Sequence, residues 1–362
     1  MATLDIQITA PSAGSVAVDL DPAKLEFGTT FAPNWFVAEY RDGAWGKARI
    51  EPWHNITLHP AAIVLHYGQS IFEGMKAYRW ANGKAALFRP AENGRRFAVS
   101  ARRMAMPPVD PDFFVEAVKT LVQSEKEWIP REPGSLYLRP TIIGTEAAIG
   151  VHASHEFLFF ILALPSGAYF KEAGSSGVGA VTVYVAETTS RAAKGGTGAV
   201  KASANYAISL LTIEEGRKRG CSQVLFLDSG GQRLVEELGG MNVFFVEGRK
   251  LYTPPLHDTI LPGITRDSVI QVARDLGFEV AETPIQIDDA ASKIQAGQVT
   301  EVFACGTAAV VVGIREFVFE SGKRLVIADG AAGEVTRRLN AELQGIQFGR
   351  IADRHRWTEI VG

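Results

Sequence analysis

Along most of this chain the apolar residues alternate with polar ones or run together in short blocks, and helical spacing is confined to a few segments. In "MKAYRWANGKAALFRP" (75–90) two strand-like runs flank Asn82-Gly83, a pair that favours the left-handed backbone of a tight hairpin turn. Helices are expected from about Glu92 to Arg103 and from Pro111 to Gln123, then strands at "SLYLRPTII" (135–143) and "FLFFILAL" (157–164). After the Gly- and Ser-rich stretch "PSGAYFKEAGSSGVGA" (165–180) comes the strand "AVTVYVAE". A helix follows in which Ala204, Ile208 and Leu211 keep helical spacing and which stops at Gly220. The runs "QVLFLD", "QRLVEEL", "GGMNVFFV" and "LYTP", separated by turn residues, read as strands, and a last clear helix runs from roughly Arg266 to Leu276. Strands and helices are interspersed without the regular alternation of a doubly wound fold. The expectation is therefore α/β with mixed sheets: a small domain over 1–168, a linker over 169–179 and a larger domain over 180–362.

With 362 residues, 46% of them hydrophobic, the chain is long enough for two such cores. A net charge of -3 gives no basic surface for nucleic acid, and "FLFFILAL" is too short to cross a bilayer. The start, "MATLDIQITAPSAG", lacks the basic and apolar regions of an export signal. Cys221 and Cys305 are too few and too far apart for a disulfide framework or a zinc site, so a cytoplasmic protein without a bound metal is expected.

Chemistry enters at "GGTGAVKASANYAISL" (195–210), where Lys201 sits among Ala199, Val200, Ala202 and Ala204. Most lysines are solvated, but a lysine desolvated by its neighbours keeps more of the neutral, nucleophilic amine. A phosphate loop of the Walker type is excluded, because it needs glycine before the lysine and serine or threonine after it, and here those positions hold Val200 and Ala202. Another anion cup is available at "LPGITRDS", where Gly263, Ile264 and Thr265 precede a helix, although taken alone these residues favour an ordinary threonine cap. In "RLVEELGGMN", Glu236 and Glu237 lie on a strand, so at most one is expected to point inward, where a buried carboxylate needs a cationic partner such as a protonated ring nitrogen.

Taken together, "GAVKASANY", "VEELGGMN", "LPGITRDS", "HYGQSIFEGMKAYR" (66–79) and "SLYLRPTIIG" (135–144) resemble the branched-chain amino-acid aminotransferases, a family of fold-type IV pyridoxal-phosphate enzymes related in fold to D-amino-acid aminotransferase. The resemblance implies a pyridoxal 5′-phosphate Schiff base on Lys201. It places Glu237 at the pyridine nitrogen and Tyr206 at the ring hydroxyl, with Arg96, the N–H groups of Ile264 and Thr265, and the Thr307 hydroxyl at the phosphate. It further implies a substrate pocket lined by Tyr67, Phe72 and Tyr137, with room left by Gly240 and Ala308. The N–H groups of Thr307 and Ala308 would hold the α-carboxylate, Arg139 would meet the side chain of glutamate, and Ile149 and Val151 would serve the neighbouring subunit of a homodimer.

At its N-terminal wall the chain reads "TFAPNWFVAEY" in place of an Asp-His-Met-like stretch, leaving Phe31 as the candidate there, and "CGTAAVVVG" lacks the Cys-x-x-Cys of some members. The implied activity is ping-pong exchange of the amino group between leucine, isoleucine or valine and 2-oxoglutarate. D-amino-acid aminotransferase, aminodeoxychorismate lyase and a non-catalytic phosphate-ligand binding protein are the alternatives.

Overall fold

The computed structural model describes residues 6–9, 20–167 and 178–362; most of the expected linker, 169–177, lies outside the described residues. Two compact units result: Met1–Tyr169 with Lys201–Ala204 and Ile346–Gly362, and Phe170–Val200 with Asn205–Gly345.

The strands of the first unit are β1 (Ile6–Ile8), β2 (Asn34–Arg41), β3 (Ala44–Trp45), β4 (Ala48–Pro52), β5 (Ser70–Phe72), β6 (Met75–Arg79), β7 (Ala85–Phe88), β8 (Ser135–Gly144) and β9 (Phe157–Ser166). Its helices are α1 (Ile63–Tyr67), α2 (Pro90–Arg103) and α3 (Pro111–Ser124). The Asn82-Gly83 hairpin forms, with β6 antiparallel to β7. In β9, Phe157, Phe159, Ile161 and Ala163 alternate into the core, where they meet Phe97 of α2 and Phe114, Val118 and Leu121 of α3. α3 starts where Asp110 accepts hydrogen bonds from the N–H groups of Asp112 and Phe113, with Pro111 at the first helical position.

The second unit holds β10 (Ala180–Ala186), β11 (Gln223–Leu227), β12 (Val235–Leu238), β13 (Asn242–Glu247), β14 (Lys250–Thr253), β15 (Glu279–Glu282), β16 (Glu301–Gly306), β17 (Val310–Phe319) and β18 (Arg324–Val326). They form one mixed sheet in the order β12-β11-β10-β17-β16-β13-β14-β15, with β18 on β17. The remaining α-helices are α4 (Ala204–Ala207), α5 (Leu210–Lys218), α6 (Ile264–Asp275), α7 (Ile287–Gln295) and α8 (Glu334–Gln347), and the last strand is β19 (Thr358–Val361).

Two expectations change. The segment 180–362 is not one body, because β19 pairs antiparallel with β7 and covers that edge of the first sheet. The single helix expected to end at Gly220 is two. The Ser209 N–H and hydroxyl both bond the Tyr206 carbonyl, at 3.2 and 2.8 Å, which closes α4. Ile208 and Leu211 are then exposed, whereas Thr212 and Gly216 face inward; a Cβ on Gly216 would stand 3.1 Å from the Tyr184 Cβ of β10, so a small residue permits the close approach.

Candidate active site

The environment of Lys201 follows from its short segment, which belongs to the first unit. Ala202 bridges to Ile71, the Phe72 N–H donates to the Lys201 carbonyl at 3.1 Å, and the Ser203 N–H donates to the Ser70 carbonyl at 3.0 Å. The Lys201 N–H donates to the Ser100 hydroxyl of α2 at 3.1 Å. The lysine backbone is thereby laid along β5, the "SIF" of the motif at 66–79, and Nζ stands 4.9 Å from the centroid of the Phe72 ring.

A second cation shares that ring. Arg139 Cζ is 4.6 Å from the Phe72 centroid, and Nη2 donates to the Tyr137 hydroxyl at 3.1 Å. Tyr137 and Arg139 lie two apart on β8 and share a face. Tyr137 reaches this place because residue 74 is glycine: a Cβ there would fall 2.1 Å from the tyrosine oxygen. Among the described residues no carboxylate pairs with Arg139, and its buried Nε has no partner.

Beside them, Arg96 of α2 grips Glu73 through two bonds, Nε to Oε1 at 2.7 Å and Nη2 to Oε2 at 2.8 Å; Glu73 is fully buried. The Asn93 amide and the Gly74 N–H also donate to this carboxylate. Burial pushes Glu73 up, but the charge and hydrogen bonds of Arg96, with Lys201 and Asn93 adding to them, outweigh it and hold the group below the ordinary carboxylate range. The expected phosphate-binding arginine is thus oriented by an acid from its own unit.

In the second unit both glutamates of β12 are buried, contrary to the expectation that at most one points inward. The physical reason is the segment 257–261, which supplies a partner to each: the Thr259 hydroxyl bonds Glu236, and the Leu261 N–H donates to Glu237 at 3.3 Å. Glu237 is also ion-paired with the buried Arg191 and accepts from the Asn242 amide at 2.9 Å. Glu236 keeps one oxygen without a partner among the described residues, and burial, against the Thr259 bond and the charge of Arg191, pushes it up to about 7.

The same unit presents the start of α6 uncapped. The cap position is Gly263, not a threonine, and among the described residues no side-chain cap bond forms there. A Cβ on Gly263 would fall 2.0 Å from Asn242 Oδ1, so the amide that serves Glu237 also requires glycine here. Ile264 and Thr265 follow as the first helical residues. Tyr206 on α4 approaches Gly240, whose ideal Cβ position lies 3.9 Å from the tyrosine ring, and Gly306, just before Thr307 and Ala308, sits against Met241 and Gly240. The loop before Lys201 is folded by Asn205, whose amide donates to the carbonyls of Thr197 and Val200 at 2.7 and 2.9 Å.

Phe31 is exposed, with its ring centroid 6.3 Å from that of Trp53. The Tyr67 hydroxyl bonds the Ile149 carbonyl, and Ile149 and Val151 themselves are exposed. The first unit therefore brings together Lys201, Phe72, Tyr137, Arg139 and Arg96, and the second brings together Glu237, Tyr206, Gly240, Ile264 and Thr265. Sequence reasoning missed Glu73, Ser100, Arg191 and Asn242. Glu73 and Asn242 both lay within quoted motifs, but nothing local marks Arg191, which is 46 residues from its partner.

The chain is similar to known proteins along most of its length. The family model for amino-transferase class IV matches residues 70–317. The branched-chain-amino-acid aminotransferase of Mycolicibacterium smegmatis is 46% identical over 338 residues, covering 91% of this chain and 90% of that protein. Among solved structures, the branched-chain amino acid aminotransferase of Escherichia coli superposes with a TM-score of 0.75 at 28% identity, covering 91% of this chain and all of that one. The branched-chain amino acid aminotransferase of Thermobaculum terrenum in its PLP, or holo, form gives 0.74 at 26%, covering 92% of this chain and again all of the other. Motif order, the buried acid pairs and these likenesses converge, and the chain belongs to the class IV amino-transferases, in the branched-chain-amino-acid aminotransferase family.

Proposed function

We propose that the chain exchanges amino groups reversibly, in two ping-pong half-reactions, between leucine, isoleucine or valine and 2-oxoglutarate, with pyridoxal 5′-phosphate as cofactor. The observation that carries this reading is the pair of cations at one aromatic ring: an amine, Lys201 Nζ, and a guanidinium without an acid partner among the described residues, Arg139, both within 5 Å of the Phe72 centroid. A pocket that accepts both an apolar side chain and that of glutamate needs an apolar wall and a cation beside it. Phe72, Tyr137 and Arg139 supply them.

The donor set fits the cofactor. Uncapped N–H groups of Ile264 and Thr265, the positive end of α6, the Thr307 hydroxyl and Arg96 suit a dianionic phosphate. Glu237, held by Arg191 and Asn242, suits a protonated ring nitrogen. When bound, the cofactor supplies an electron sink for the pair released at the substrate Cα. Lys201 would hold it, and its amine would take and return the proton at the substrate Cα. Glu237 keeps a proton on the pyridine nitrogen, Tyr206 meets the ring hydroxyl, and the N–H groups of Thr307 and Ala308 bind the α-carboxylate. Tyr67, Gly240 and Ala308 shape the space for the side chain, with Phe31 at its N-terminal wall.

A homodimer is part of this reading, with Ile149 and Val151 serving the partner's substrate. Its support is exposed apolar surface at Ile149 and Val151, and at Ile208, Leu210 and Leu211. Among the described residues no helix is long and apolar enough to cross a membrane, and Cys221 and Cys305 are free and buried; a cytoplasmic setting is the one we infer.

An amino-donor screen with 2-oxoglutarate tests the function. Leucine, isoleucine and valine are expected to react and D-alanine to be inert; turnover of D-alanine alone would replace the reading with that of a D-amino-acid aminotransferase.

A further inference from the structure

The loop between β8 and β9 carries chemistry that the proposed transamination does not use. Its base is closed by backbone bonds: the Thr145 N–H donates to the Glu156 carbonyl at 2.8 Å, and the His155 N–H donates to Glu146 Oε2 at 2.7 Å. Its tip, from Ile149 to His152, is exposed, and the Tyr67 hydroxyl donates to the Ile149 carbonyl. One ligand atom from each of Glu146, His152 and His155 lies within 4.8 Å of the others. His155 Nδ1 donates to Glu146 Oε2 at 3.1 Å; a metal ion there would displace that proton, and the two atoms already stand near the separation of about 3.4 Å between two ligands of a tetrahedral zinc ion.

The tautomer of His152 is set as a ligand requires. Its Nδ1 lies 2.9 Å from the Ala153 carbonyl, which can only accept, so Nδ1 carries the proton and the lone pair of the neutral ring is on Nε2. A backbone carbonyl on the far ring nitrogen is the usual support of a metal-bound histidine. Both histidines are exposed.

We propose that Glu146, His152 and His155 bind a divalent transition-metal ion, zinc by the chemistry of two imidazoles and one carboxylate, and that the ion pins the tip of this loop to its base. Water completes the coordination on the solvent side. The inference does not rest on the transaminase reading, since none of the three side chains is assigned to cofactor or substrate. The loop does carry Ile149 and Val151, so the ion would steady the residues placed there.

The test uses the full chain loaded with pyridoxal 5′-phosphate, stripped of metal by a chelator and titrated with Zn²⁺ in a calorimeter. One ion per chain is expected, with affinity lowered at least about tenfold in Glu146→Gln and in His152→Ala. Hydrogen exchange of amides 147–153 is expected to slow about tenfold on adding Zn²⁺ to the wild type and to remain unchanged in His152→Ala. Equal binding by the wild type and the Glu146→Gln/His152→Ala double variant overturns the proposal, as does wild-type binding without slowed exchange in this loop.

Discussion

The first unit buries one carboxylate beside its lysine, Glu73, and the second buries two adjacent ones, Glu236 and Glu237. Glu73 receives two bonds from Arg96, one from Asn93 and one from the Gly74 N–H, and it is held ionised although no part of it is exposed. Glu237 has an arginine, an amide and a backbone N–H in the same way. Glu236, equally buried, has one hydroxyl bond and an oxygen without a partner among the described residues, and its proton affinity rises. Burial is common to all three. What separates them is the number of donors and the nearness of a guanidinium, which set whether a buried acid's proton affinity falls, as at Glu73, or rises, as at Glu236.

The largest test is of the lysine that shares the first unit with Glu73. Lys201→Ala is expected to lower single-turnover rates with leucine by about four orders of magnitude or more, because it removes both the covalent anchor and the base. Borohydride reduction followed by peptide mapping should find the cofactor on Lys201. Lys76 is the sharper control, since burial lowers it to about 8 and it too lies in the first unit; label on Lys76 would move the site.

Between the two glutamates of β12 the contrast should be kinetic. Glu237→Gln keeps the shape and loses the charge, and the leucine half-reaction should slow by about two orders of magnitude, equivalent to ~3 kcal/mol of barrier. Glu236→Gln should stay within a few-fold of wild type. A reversed result would mean that the better-paired carboxylate is only structural.

Glu236 should instead reveal itself in stability. Its folded form keeps the proton up to about pH 7, while the unfolded chain releases it near 4.5, so the folded state binds more protons between these values. Stability therefore falls as pH rises through this window and levels off above it, by up to ~3 kcal/mol from this group. Denaturant titrations of the wild type and Glu236→Gln at pH 5 and pH 8 should show the variant gaining relative to the wild type at the higher pH. Identical pH profiles would mean that the unpartnered oxygen does not raise the proton affinity.

The smallest effect concerns selectivity. Arg139→Ala should slow the half-reaction with glutamate about 30-fold more than that with leucine, corresponding to ~2 kcal/mol for a charged hydrogen bond. Equal losses for both donors would show that Arg139 supports Tyr137 and Phe72 without choosing the substrate.

Local pattern was enough for the Asn82-Gly83 hairpin, for α2 and α3, and for the alternation that turns Phe157, Phe159 and Ile161 into the core, because turn chemistry and periodicity act between near neighbours. It was also enough to bring Lys201, Glu237, Arg96 and the Gly263 turn into one family pattern. It misread the residues after Tyr206, where the helical spacing of Ile208 and Leu211 suggested a buried face and the packing chose Thr212 and Gly216 instead.

What only the tertiary structure decided are the partners: Arg191 for Glu237, Thr259 for Glu236, Glu73 for Arg96 and Ser100 for the backbone of Lys201. It also decided that the last strand of the chain returns to β7. A sequence states which residues carry charge and which fit a strand or a helix. The state of a buried charge depends on donors brought from 23 to 46 residues away, as Arg96 is to Glu73 and Arg191 to Glu237, and no periodicity encodes a contact at that distance.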